Sequence, residues 1–308
     1  GCAVFQALTR GGERGLFLTR GDEVRTLFLH PDLDVTSHPA RSPAGITSAY
    51  ATDAGGGDRL LRLGTDEDDL FANTADLCLR IGPLGPTTNA RGDVAFRATT
   101  HERREAVCLA GHDLVVVADT RAPARGATAF ARFEGLPLVD ERGRVSFRAD
   151  LPDGRHGIWR RDGDRLDALV ETGPASGLSS LGRFPCLDGA DAVVCTGVHA
   201  SGWSGIFRFS PPAAPEVLAR SGGAFESFRG ALAAPDQLVF YATPPGGSLG
   251  VYRSQRAAPA PVRLVGLGDP LAGSTVVDLA RNPVSIDVGG AVAMRLALAS
   301  GQQLIAVA

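Results

Sequence analysis

The chain contains no lysine; all 31 of its basic residues are arginine. That excludes a lysine Schiff base, a lysine general base and the lysine of a phosphate-binding loop. The bias itself reads as a GC-rich coding sequence. Basic blocks are missing as well, and the formal net charge is −3, so no surface that tracks a phosphate backbone is expected and no nucleic-acid partner. No apolar run approaches the ~20 residues with which a helix spans a bilayer, so no transmembrane segment is expected. Sustained helical periodicity is also lacking, because 39 glycines and 20 prolines punctuate the chain throughout. Cysteine is scarce: five residues, an odd number, without metal-ligand spacing. No metal site is expected, and nothing in the sequence names a cofactor.

What is present is a large apolar complement in short alternating runs. At 308 residues and 44% hydrophobic, the chain has enough for a sizeable core, and one all-β domain over residues 1–308 is expected. A single strand pattern recurs as CAVFQA, ITSAYA, DVAFRA, RVSFRA, AVVCTG, QLVFYA and AVAMRL, at residues 2–7, 46–51, 93–98, 144–149, 192–197, 237–242 and 291–296. Alternation within each copy fits a strand, and a spacing of about 45–55 residues is that of propeller blades. A next strand follows as GLFL, LLRL, AVCL, GIWR, GIFR, GVYR and QLIA, and a further one as VRTLFL, DLVVVA, LDALVE, EVLARS and VRLVGL. Four short antiparallel strands per unit, repeated about seven times, predict a single β-propeller of seven blades, six being the alternative.

The turn before the repeated strand has its own chemistry. Asn89-Ala-Arg-Gly92, Asp140-Glu-Arg-Gly143 and Asp287-Val-Gly-Gly290 place Asn or Asp first and Gly fourth. The side-chain oxygen bonds backbone two residues on, while glycine takes the positive φ of a bulged hairpin. In the fifth copy this turn sets Cys186 opposite Val194 and not opposite Cys195, so free thiols are expected. Cys195 and Cys108 occupy the slots of Phe147 and Trp159, which are core positions where cysteine acts as a small hydrophobe.

The pattern Pro-x-x-(Asn/Asp)-x-x-Gly-x-Val-(Ala/Ser)-Phe-x-Ala, then Gly-Ile-(Phe/Trp), resembles the tandem propeller repeats of uncharacterised secreted bacterial proteins. It is more distantly similar to TolB-type, WD40-like repeats. Residues 86–98 and 137–173 match best, and copies two and seven are degenerate. The resemblance implies a fold and an exported setting, secreted or periplasmic. Its motif residues are turn and core residues, and it implies no catalytic residue.

Gly1 aligns with Gly143, so the first copy begins at its turn glycine without a first strand, and the seventh stops after its third strand. Incomplete first and last blades are therefore expected, with further residues before Gly1 and any signal peptide among them. Gly1-Cys2 also resembles the end of a lipoprotein cleavage site, although the repeat alignment accounts for both residues.

In a four-stranded blade the inter-blade loops and the second-to-third-strand loops open on one face. His30 and His38 fall in the first inter-blade loop; His101, His156 and His199 fall in second-to-third-strand loops, which also hold Glu102, Asp153 and Trp203. Only His112 belongs to the other face. This loop face is the candidate binding surface for a protein or a glycan, with Trp203 as an aromatic anchor. The alternative is an enzyme, a lyase or hydrolase, with a histidine base or assisting metal at the propeller axis. Other motifs weaken on chemistry. The acidic run 66–69 lacks the alternating oxygens of a calcium loop. Gly55-Gly56-Gly57 precedes a strand, not a helix. Gly202-Trp203-Ser204-Gly205 sits in a hairpin and misses the nucleophile-elbow spacing.

Overall fold

The computed structural model describes residues 2–64, 68–69, 78–121, 128–189, 191–210, 212–255 and 260–308. They form strands, turns and bends, with no helix among the described residues. The strands make seven consecutive antiparallel meanders, and the fold class is the seven-bladed β-propeller. Blade one has three strands, Cys2–Leu8, Arg14–Arg20 and Glu23–Phe28, which are the second to fourth of the repeat. Blade seven has Ser274–Ala280, Ala293–Leu298 and Gln303–Val307, the first to third, preceded by the short Pro270–Leu271. Both end blades are therefore incomplete.

The chain divides into two compact units, one of Gly1–Gly154 with Ile158–Ala168, the other of Arg155–Gly157 with Leu169–Ala308. In the first, each blade buries the repeated strand against its neighbours. Phe147 of Val145–Asp150 is 1% exposed and packs among Phe130, Phe133 and Trp159, with ring centroids 5.6, 5.4 and 6.3 Å away. Tyr50, Leu60, Phe96 and Cys108 form a second cluster, and Leu16, Val35, Ala49 and Leu61 a third. In the second unit, Phe225, Val239, Phe240, Tyr252 and Met294 share one core.

The turns follow the sequence chemistry. Asp140 Oδ1 accepts from the backbone N–H of Arg142 and of Arg144, both at 2.9 Å, and Gly143 has φ +82°. Asn89 and Asp287 repeat this with Gly92 and Gly290 at φ +83° each. Cys186 lies opposite Val194, as the bulged turn dictates, and all five cysteines are free thiols.

The first strand departs from the simple repeat. In blades two, three and five it is two short pieces on one partner: Leu33–Val35 and Ala40–Arg41, Cys78–Ile81 and Thr87–Thr88, Leu178–Leu181 and Cys186–Leu187. Each gap holds proline (Pro39, Pro83 and Pro86, Pro185), which has no N–H to give to the ladder. Of the acidic run 66–69, Asp66 and Glu67 lie outside the described residues. Asp68–Asp69 is the fourth strand of blade two.

Candidate functional site

The second-to-third-strand hairpins are one device used repeatedly. In blade five the turn between Val193–His199 and Ser204–Phe209 is closed by His199 N–H donating to the Trp203 carbonyl and Gly202 N–H to the His199 carbonyl, both at 2.8 Å. Gly202 has φ +92°. The same two bonds join Thr9, Gly12 and Glu13 in blade one and Thr100, Arg103 and Arg104 in blade three. Turn geometry is thus constant, and what differs is the chemistry displayed at each tip.

Blade five displays an aromatic ladder. Phe209 and Phe207 are buried and stacked at 6.4 Å; Trp203 stacks on Phe207 at 5.5 Å, and His199 on Trp203 at 4.8 Å with an interplanar angle of 13°. Trp203 and His199 are half-buried at the tip. Arg220, on the fourth strand Glu216–Arg220, lays its guanidinium 4.5 Å from the centre of a Trp203 ring. It reaches there because it is paired with Gly205, where a Cβ would stand 2.8 Å from Trp203 Cζ3. His199 Nδ1 accepts from Ser201 N–H at 3.1 Å and lies 2.7 Å from the Ser201 hydroxyl. That use of Nδ1 leaves the proton of the neutral ring on Nε2. The tip therefore offers a flat π-system with an adjacent cation and an imidazole N–H donor.

The other sequence candidates belong to other segments of the chain. His30 is exposed, stacks on Phe28 at 6.2 Å and accepts from Asp32 N–H at 3.1 Å. His38 is exposed, and its carbonyl would stand 2.5 Å from a Cβ at Gly85, so a side chain there would collide with it. His101 and Glu102 are exposed on the blade-three turn, with Glu102 ion-paired to Arg104. Asp153 is exposed. His156 is half-buried, its N–H donating to Thr172 Oγ1 at 2.9 Å and its carbonyl accepting from Thr172 N–H at 2.8 Å. Of the eight candidates, a ring contact joins His199 with Trp203. Among the described residues, no three His, Cys, Asp or Glu side chains gather closely enough to hold a metal ion.

Sequence reasoning missed Arg220, Ser201 and Phe207 as partners of Trp203. The register of the third and fourth strands carries that information, and it shifts by a bulge between Ile206 and Phe207.

The strand order, the repeated blade and the loop display define a β-propeller of the class that carries its variable chemistry on hairpin tips. Residues 62–243 match the model of DUF7453, a family of unknown function, and the chain belongs to that family. No curated protein matches the chain. Among solved structures, the β-propeller domain of the Trilobed protease from Pyrococcus furiosus, described as having an open velcro topology, is similar at 9% identity and a TM-score of 0.60; the match covers 99% of this chain and 88% of that one. The BP39L lectin from Burkholderia pseudomallei is similar at 10% identity and a TM-score of 0.53, over 100% of this chain and 92% of the lectin. TolB from Acinetobacter baumannii aligns at 13% identity and a TM-score of 0.49, over 100% of this chain, which spans 63% of that protein. These likenesses are of fold.

Proposed function

We propose that the chain is a non-catalytic ligand-binding propeller that recognises a protein or a glycan through its second-to-third-strand and inter-blade loops. The blade-five tip is the anchor. The observation that carries this reading is the stack of half-buried His199 and Trp203 with exposed Arg220, held by buried Phe207. A rigid aromatic beside a cation contributes contact area at little entropic cost, which is how binding hot spots are built. A lectin among proteins of the same fold is compatible with a sugar ligand. In this reading His156 supplies a further polar contact in the same compact unit, and His30, His38, His101, Glu102 and Asp153 supply polar contacts on the loops of the other unit. The resemblance to repeats of exported proteins supports a secreted or periplasmic setting, and no helix is long and apolar enough to cross a membrane among the described residues.

The two tryptophans make the test specific. Trp159 is 1% exposed and Trp203 is half-buried, so iodide quenches Trp203 selectively. A glycan array and a panel of soluble extracellular proteins are screened with the wild type and with Trp203→Ala. A ligand that binds the wild type, shields Trp203 from iodide and is lost in the variant supports the reading. Ligands that bind both forms equally overturn it. Turnover abolished by His199→Gln would point to the enzymatic alternative.

A further inference from the structure

A second feature lies at the other end of blade one, away from its second-to-third-strand hairpin. A groove of about 460 Å³ is lined by Cys2, Leu18, Arg20, Glu23, Val24, Arg25 and Arg41. Cross-strand pairing explains how one blade gathers them. Cys2 is opposite Arg20, Arg20 opposite Glu23, and Leu18 opposite Arg25. Partners directly opposite share a face, as do residues two apart, so Cys2, Leu18, Arg20, Glu23 and Arg25 all project from one face of the sheet. Arg41, on Ala40–Arg41 of the second blade, completes the lining.

The charge there is unbalanced. Three guanidinium groups meet one carboxylate, Glu23. Among the described residues, no ion pair joins Arg20, Arg25 or Arg41 to an acid. Arg41 donates to Thr47 Oγ1 at 3.0 Å, which neutralises nothing. Elsewhere in this unit the arginines beside acids do pair: Arg59 with Asp53 and Arg91 with Asp93 at 2.7 Å, Arg144 with Asp140 at 2.6 Å. Arg41 is also half-buried, and the loss of hydration lowers its proton affinity, with Cys2 opposing the effect and Arg25 adding to it. A partly desolvated cation beside two unpaired ones is a poor arrangement for an empty surface and a good one for an oxyanion, which guanidinium groups bind with paired N–H donors. Buried Leu18 gives the groove an apolar wall next to that charge.

We propose that this groove binds a small phosphate or sulfate ester, its oxyanion among Arg20, Arg25 and Arg41 and its organic body against Leu18. Glu23 sits at the rim, where it accepts from a hydroxyl or disfavours a second anionic group.

The groove carries its own reporter. Cys2 is the one exposed thiol of the five. The test measures Cys2 alkylation by neutral iodoacetamide, alongside calorimetry at low salt, with phenyl phosphate, phenyl sulfate and inorganic phosphate as probes. The proposal expects one-to-one binding of a phenyl ester, at least fivefold slower alkylation at saturation, and at least tenfold weaker binding in Arg25→Gln and in Arg41→Gln. Arg10→Gln, a change at an exposed arginine of the opposite hairpin, should leave both readouts alone. Which ester binds more tightly distinguishes phosphate from sulfate. No binding by either ester, or protection that persists in the Arg25→Gln/Arg41→Gln double variant, overturns the site. Inorganic phosphate binding as tightly as phenyl phosphate overturns the role given to Leu18.

Discussion

Thr87 holds a segment 50 residues away: its hydroxyl donates to the Pro137 carbonyl at 2.8 Å and accepts from the Val139 N–H at 3.2 Å. The residue is buried, and the two backbone groups lie where Arg132–Val139 is irregular between Glu134 and Leu138. One side chain thus satisfies a carbonyl and an N–H of a buried stretch on the neighbouring blade. Next to it, Asn89 Nδ2 donates to the Asp140 carbonyl at 2.8 Å, so the turn of one blade is tied to the turn of the next.

Thr87→Val keeps the shape and removes both hydrogen bonds, stranding a buried carbonyl and a buried N–H. We expect a loss of about 1–3 kcal/mol in urea unfolding. Thr87→Ser, which keeps the hydroxyl, should lose less than half of that. Equal stability of the valine variant and the wild type would mean that water, not Thr87, satisfies these groups.

Phe147 tests the blade core. Three aromatic rings contact it and it is 1% exposed. Phe147→Ala therefore removes a large buried side chain from a site walled by stiff neighbours, which relax poorly into a cavity. The expected cost is about 3–5 kcal/mol by equilibrium unfolding. A cost below about 1 kcal/mol would mean that Phe147 does not sit in that core.

The contrast between Phe147 and Arg220 shows what was legible in the chain. Phe147 recurs in a period-two pattern beside a turn glycine, and both signals are local, so blade, turn and core followed from spacing alone. The broken first strands did not, although Pro39 and Pro185 mark the breaks, because a proline marks the end of a strand as readily as a gap within one. Arg220 reaches Trp203 through a cross-strand register displaced by a bulge, and no pattern along the chain encodes that. His199 and Trp203 meet because one four-residue turn joins them. The remaining histidines belong to other turns, and which of them act together depends on contacts that local rules do not specify.

Burial at Cys186 predicts a pH dependence. Desolvation, with Cys195 nearby, pushes this thiol from 9.0 up to about 12. Between those values the unfolded chain has released the proton while the folded chain still holds it. Raising the pH therefore favours unfolding, and the thiol's contribution is present below about pH 9 and lost on the way to 12. Wild type should lose stability relative to Cys186→Ala across this window, by up to about 1.4 kcal/mol per pH unit. Parallel stability curves from pH 8 to 11 would show that Cys186 is solvated. At pH 8, Cys78, Cys108, Cys186 and Cys195, all buried, should react with a thiol reagent only as fast as the protein unfolds.

Gly177 decides whether the blade-five ladder can form. Its φ is +67°, a conformation that costs an L-residue roughly 1–2 kcal/mol. A Cβ there would stand 3.0 Å from His199 Nε2. Its carbonyl also accepts from Ala200 N–H at 2.8 Å, so the glycine cannot simply move aside. Gly177→Ala should therefore push the imidazole off Trp203 and lower the melting temperature by several degrees. With His199 displaced, one side of Trp203 opens, and iodide quenching should rise while the contribution of buried Trp159 stays constant. His199→Ala separates the two effects: it should raise quenching as much without straining residue 177, and so melt closer to wild type. If Gly177→Ala melts early but quenches like the wild type, the strain is present and the stack is not, and Trp203 then reaches its ligand without His199.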